Sequence, residues 1–218
     1  MVTYFCDRLV TKINVMNREK TSRNREDTKQ SLLDAVDEIV KEDGFEKLGV
    51  NLVASRADVS KMLIYRYFGS LDGLIYEYVS KYDFWANMEE LPLDKRDMPT
   101  FVKNLFKMQI KSIRDNYVLR RIYRWEFMSD NQFVIELRKK REETGIRLVK
   151  KIGRLAHVSK KEIAVLATLI SSSITYLALL SDSFGNYNGI DIRTNAGWKQ
   201  IERVIDNFVD VYFNSIKK

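Results

Sequence analysis

What this chain of 218 residues lacks narrows its chemistry before any motif is considered. Cys6 is its single cysteine, which excludes an internal disulfide and a cysteine-built zinc site and suits a reducing compartment. His157 is its single histidine, and Arg154 lies three positions before it, so the paired Glu-x-x-His of a di-iron bundle cannot be assembled. A Gly-rich phosphate loop is missing too, and carboxylate pairs such as Glu142-Glu143 adjoin lysine and arginine, as solvated helix faces do. No catalytic residue, metal ligand or cofactor is assigned, and an enzyme is not expected. Proline is confined to Pro92 and Pro99, and glycine is sparse, which leaves little to interrupt long helices. The fold class expected is all-α.

Signals for export or membrane insertion are also wanting. Asp7, Arg8 and Lys12 break every apolar stretch near the start, and Met16 would make a second natural start. Ile163–Leu180 is the one run long enough to be mistaken for a membrane span. It contains Thr168, Ser171, Ser172, Ser173 and Thr175 and has no aromatic or basic belts, so it is read as a buried helix. No membrane partner is expected, and the location expected is cytoplasmic.

Charge is present in abundance but unevenly. The formal net charge is +7, with a basic stretch over residues 1–25, an acidic one over 26–49, and Arg56, Lys61 and Arg66 against Asp58 over 50–70. The basic excess lies largely beyond residue 80, so the overall sign alone says little about nucleic acid.

Leu32, Leu33, Val36, Ile39 and Val40 recur at helical spacing, and Gly44 follows as a left-handed stop, with Phe45 placed to fold back on the last turn. Short helices then fit Val50–Ala57 and Lys61–Phe68, and a longer one starts at Ser70 or Leu71 and runs towards Trp85. Glu89–Pro99, which holds both prolines, is the candidate linker. Beyond it, helices are expected over Phe101–Arg114, Tyr117–Met128, Asn131–Leu155, Lys160–Ser181 and Ala196–Ile216. The Gly185–Gly189 stretch is one of the breaks between them.

The pair Val50–Ala57 and Lys61–Phe68 meets the demands of a helix-turn-helix. Ala54 is small where the helices must cross, Asp58 tolerates the left-handed turn, and Ser60 can cap the second helix. Val53, Ala57, Val59, Ile64 and Phe68 can pin the pair to the first helix. At about 100° per residue, Lys61, Met62, Tyr65 and Arg66 fall on one half of the second helix, opposite Leu63, Ile64, Tyr67 and Phe68. A helix that packs one half and presents the other is suited to the major groove.

Gly44-Phe45, Val53-Ala54, Ala57-Asp58-Val59-Ser60, Ile64-Tyr65-Arg66-Tyr67-Phe68-Gly69-Ser70 and Leu74 resemble the N-terminal signature of the tetracycline-repressor (TetR) family. That resemblance covers roughly residues 26–75. It implies a three-helix DNA-binding domain over 24–70, after a basic tail at 1–23, and a helical ligand-binding and dimerisation domain over 71–218. Carried over by position, it puts Lys61 and Met62 near base edges, Tyr65 along the groove, and Tyr67 and Ser60 on phosphates, with Asn51 a further base or phosphate contact. Leu63 and Arg66 complete the candidate surface. Met62 and Leu63 fit thymine methyls or, equally, a protein partner, and Lys61 and Arg66 alone would pass for solvated charges. Gly49, Leu71 and Asp58 depart from the pattern. The first two remove phosphate contacts and predict modest affinity supplemented by the tail.

The resemblance further implies a homodimer on a palindromic double-stranded operator and an unidentified small-molecule effector. Lys160–Ser181 and Ala196–Ile216 are the candidate dimer helices, unless both close the subunit's own core. The candidate effector contacts are Phe106, Arg120, Tyr123, Arg124, Phe127 and Tyr176, with Arg120 or Arg124 turned inward to an anion. The runs Arg138–Arg141 and Lys150-Lys151 are read as solvent-facing. The expected function is a ligand-responsive transcriptional regulator, probed against an alternative of another class: a helical interaction protein with weak or no sequence-specific DNA binding.

Overall fold

The computed structural model describes residues 25–85, 97–129 and 132–215. The expected tail over 1–23 and most of the Glu89–Pro99 linker lie outside the described residues. Among the described residues the regular structure is helical apart from one hairpin of two-residue strands, and the chain divides into two compact units, Met1–Tyr78 and Val79–Lys218.

In the first unit, helix α1 (residues 25–42) buries Leu32, Val36, Ile39 and Val40 completely, as its stripe dictates. Its end is closed by Asp43 N–H and Gly44 N–H, which both donate to the Ile39 carbonyl at 2.8 and 3.1 Å. Gly44 has the positive φ expected of it (96°), but its ψ of 173° takes it outside the left-handed helical well, into a region only glycine occupies. That extended exit delivers Phe45, in a single 3-10 turn (Phe45–Lys47), to the ring of Tyr78 at 6.3 Å. Helices α2 (Val50–Arg56) and α3 (Met62–Phe68) follow, joined by a turn in which Asp58 takes φ 51°. Val53, Ala54 and Ile64 are buried between them and α1, whereas Ala57, Val59 and Phe68 are half-buried. Helix α4 (Leu71–Tyr82) begins two residues after Gly69 and adds Leu74, Ile75 and Tyr78 to this core. The Tyr78 hydroxyl donates to Asp37 on α1 at 2.9 Å. This is why the unit extends to Tyr78, past the 70/71 division expected from the sequence.

The second unit is organised around α5 (Met98–Asp115). It packs against α6 (Tyr117–Phe127), α7 (Gln132–Ala156), α8 (Lys160–Leu180) and α9 (Asn195–Ser215). Asp97 and Asn116 cap α5 and α6 by accepting from Thr100 N–H and Leu119 N–H. Lys103 pairs with Asp210 and Lys107 with Asp206, both at 2.7 Å, an antiparallel ladder between α5 and α9. His157 ends α7 with φ 56°, and the Val158 N–H returns to the Gly153 carbonyl at 2.9 Å, which closes the helix as a Schellman motif.

The break expected at Gly185–Gly189 is an ordered hairpin. Strand β1 (Asn186–Tyr187) pairs antiparallel with β2 (Ile190–Asp191) across Asn188-Gly189, both at positive φ. Trp198, 1% exposed, donates its indole N–H to the Ile192 carbonyl at 2.7 Å. Gly197 is required beside it, because a Cβ there would lie 2.0 Å from the Asp191 carbonyl oxygen.

Helix α8 is long and apolar enough, by composition, to cross a membrane. One face buries Ile163, Ile170, Ile174 and Ala178 against its neighbours. The other leaves Val165, Leu169 and Tyr176 between 55% and 63% exposed, so the expectation of a wholly buried helix does not hold within one subunit. On α9, Val204, Phe208 and Val211 are likewise exposed.

Candidate nucleic-acid interface

Helix α3 sorts its side chains as its periodicity requires. Ile64 is fully buried, whereas Met62 is 65% and Tyr65 47% exposed. Lys61, Arg66, Asn51 and Ser60 are exposed as well, and Leu63 and Tyr67 are half-buried. The helix begins at Met62, one residue later than expected, with Lys61 as its cap residue. Ser60 accepts from the Met62 N–H at a long 3.4 Å, and its carbonyl accepts from the Leu63 N–H at 2.9 Å. Gly49 caps α2 through its backbone alone, taking the Val53 N–H at 2.9 Å.

The charges near α3 are of two kinds. Arg56, at the end of α2, is held by Glu42 at 2.9 Å and Glu38 at 3.4 Å on α1, so it ties two helices together. Its hydrogen bond to Glu42, then that to Glu38, raises its pKa above the ordinary arginine value. Lys61 and Arg66 have no carboxylate partner among the described residues. Arg66 lies 5.9 Å from the centre of the Tyr67 ring, and Arg25, from the first turn of α1, lies 5.6 Å from it. Lys29 sits 5.6 Å from the Phe68 ring. Arg25 and Lys29 therefore stand beside the end of the presented helix, and neither was picked out from the sequence. The signal was there: continued backwards, the Leu32–Val36 stripe arrives at positions 29 and 25.

The six candidate effector contacts are not brought together. Phe106, of the six, lines a cleft of about 540 Å³ whose walls come from Trp85, α5, α7 and α8. Arg120 and Arg124 both hold Asp182, and Arg120 also donates to the carbonyls of Ile113 and Arg114. Burial acts to raise the Asp182 pKa, but hydrogen bonds from these two arginines outweigh it and hold the carboxyl below its ordinary value. Tyr123 is buried under the Arg141 guanidinium at 4.7 Å, and burial raises its pKa. Phe127 is 72% exposed, and Tyr176 packs edge-on against Tyr187.

The reading of Arg138–Arg141 as solvent-facing is overturned for Arg141. Its guanidinium is buried in a bidentate pair with Glu126, at 2.6 and 2.8 Å, and also bonds Asp83. Burial pushes the Glu126 carboxyl above its ordinary value, against the pull of Arg141. Arg138 donates to the Glu126 carbonyl. A run of like charges in sequence hides such a pair, because its acids lie far away, on α6 and at residue 83. A further polar contact is Gln109, fully buried on α5, which donates to Ser171 Oγ at 2.8 Å.

Residues 32–78 match the model of the bacterial regulatory proteins, tetR family. No curated protein matches the chain. Among solved structures, the chain is similar to a Clostridium perfringens protein described as a candidate fatty acid metabolism regulator. The TM-score is 0.56 at 23% identity, over 81% of this chain and 97% of that one. A TetR-like transcriptional regulator from Rhodococcus sp. RHA1 aligns over 84% of this chain and 93% of its own, with a TM-score of 0.48 and 18% identity.

Proposed function

We propose that the chain is a TetR-family transcriptional regulator, a homodimeric repressor released from a palindromic operator by a small molecule, a reading supported by the match of residues 32–78 to the tetR-family model. The observation that carries the reading is the division of α3: Ile64 fully buried, with Lys61, Met62, Tyr65 and Arg66 on the open side. In the proposed complex Lys61 and Met62 meet base edges, Tyr65 lies along the groove, and Arg66 and Leu63 complete the contact. Asn51, Ser60 and Tyr67 hold the backbone, joined by Arg25 and Lys29 as further phosphate partners.

A palindrome demands two reading helices about one helical turn apart, hence two subunits. The apolar side chains left bare on α8 and α9 support pairing of these helices with their symmetry mates into a four-helix interface. In a cytoplasmic regulator of chromosomal DNA, that pairing is also the natural cover for the apolar run of α8. The effector site is assigned to the 540 Å³ cleft between α7 and α8, a volume ordinary for small molecules. An effector there acts only by binding the operator-competent dimer and its alternative with different affinity.

The test is binding to the DNA upstream of the chain's own gene, compared with random DNA at several salt concentrations. A preference of about a thousandfold or more for one palindrome is expected. Equal affinity for both would remove the repressor and leave a helical interaction protein in its place.

A further inference from the structure

The cations of the second unit fall into two groups. Lys103, Lys107, Arg120, Arg124 and Arg141 are each paired with a carboxylate. Arg147, Lys150, Lys151, Arg154 and Lys160 have no carboxylate partner among the described residues, although together they line a single concavity where α7 ends and α8 begins. The three nearest the end of α7 are favoured there by the helix dipole. That does not account for Lys160 and Lys161, which stand in the first turn of α8 with the opposite polarity at hand. The acid of that turn, Glu162, is taken by the Tyr212 hydroxyl at 3.3 Å. Gly153 holds the two helix ends together: a Cβ there would lie 3.1 Å from Lys160 Cγ and 3.2 Å from the Val158 carbonyl oxygen. The concavity is thus a meeting of like charges, of a kind that an anion would balance.

This basic concavity adjoins the cleft, since Lys150 and Lys160 line both. Trp85, Phe106, Leu148 and Val149 are shared in turn between the cleft and a small space of about 40 Å³ lined wholly by apolar side chains. Polarity therefore falls from a cluster of five cations, through a mixed cleft, to an apolar recess. Glu142, the one carboxylate on the cleft wall, lies two turns of α7 before Lys150, roughly 12 Å back along the axis.

We propose that the effector is an anionic amphiphile, with an acyl chain lying over Phe106 and Trp85 and a multiply charged, phosphate-bearing head among Arg147, Lys150, Lys151, Arg154 and Lys160. This rests on the cleft being the effector site. A single carboxylate needs one or two cations, whereas five call for a head with several negative charges. The paired Arg141 is not part of the head site, because its guanidinium is already bound to Glu126.

Decanoyl-coenzyme A, sodium decanoate and free coenzyme A separate head from tail as probes, read by Trp85 fluorescence and by calorimetry on the full chain. Decanoyl-coenzyme A should bind about tenfold or more tightly than either of the others, and more weakly as salt is raised. The double variant K150A/K160A should lose about tenfold for decanoyl-coenzyme A and nothing for decanoate. K139A/K140A, with the same loss of charge on the exposed face of α7, should lose nothing. Decanoate binding as tightly as decanoyl-coenzyme A, or equal losses in the two double variants, would overturn the proposal. So would a K150A/K160A defect confined to DNA, which would reassign these cations to a phosphate backbone. Operator release is scored separately. Lysine-dependent binding without release leaves the head site standing and removes the cleft as effector site, whereas release by decanoate alone does the reverse.

Discussion

Among the described residues, two exposed surfaces differ in kind. On α3 the open side mixes Lys61, Arg66, Tyr65 and Met62, whereas on α8 and α9 it is Val165, Leu169, Tyr176, Val204, Phe208 and Val211. The first set has cations, a hydroxyl and one flexible apolar chain, which together suit a charged polymer with methyl groups in its groove. The second, the Tyr176 hydroxyl apart, is apolar and gains by excluding water, at roughly 25 cal/mol per Å². A surface of the second kind suits the copy of itself proposed above; one of the first kind does not.

The comparison breaks most sharply at the apolar surface. L169R/F208R should give a monomer by light scattering and weaken operator binding on the order of 100-fold or more, since one reading helix then binds without its partner. A dimer that survives this change would mean that the α8 and α9 faces are covered in some other way. Next in size is R141M, which touches neither surface. It removes the bidentate partner of the buried Glu126 and should cost about 3–5 kcal/mol in denaturant unfolding of the second unit. An unchanged midpoint would deny that pair its structural role.

Changes on α3 should be smaller and confined to DNA. K61A and Y65A should each cost about 1–3 kcal/mol in operator affinity, with dimerisation and thermal stability unaltered. If either variant melted earlier by several degrees, that side chain would belong to the core. The smallest effect is expected from G49S. The backbone there is extended (φ −152°) with open space around the missing Cβ, so serine enters without strain. It should add a few tenths of a kcal/mol as a cap and should tighten, never weaken, DNA binding.

Most of the fold could be read from spacing because apolar stripes and caps are local. Asp58 at φ 51°, Asn116 as the start of α6 and the ends of α8 all follow from neighbouring residues. The hairpin at Asn188-Gly189 was equally local, and it was read only as a break although the Asn-Gly pair carried its signature. The surroundings of the candidate effector residues were not legible, for a different reason. Whether Arg120, Arg124 or Arg141 faces a cleft depends on Asp182 and Glu126 arriving from other helices, and nothing in the local sequence announces those meetings. On α3, by contrast, one buried residue, Ile64, fixes the direction of all the rest.

The Asp182 junction has a last consequence for the living cell. A carboxyl held below its ordinary value keeps its negative charge until the medium is strongly acidic, so its contribution to folding is complete above about pH 4 and disappears only as protons reach it below that. Changes of acidity around neutrality therefore pass this joint unnoticed. Protonation does not unfasten the end of α8 from α6 there.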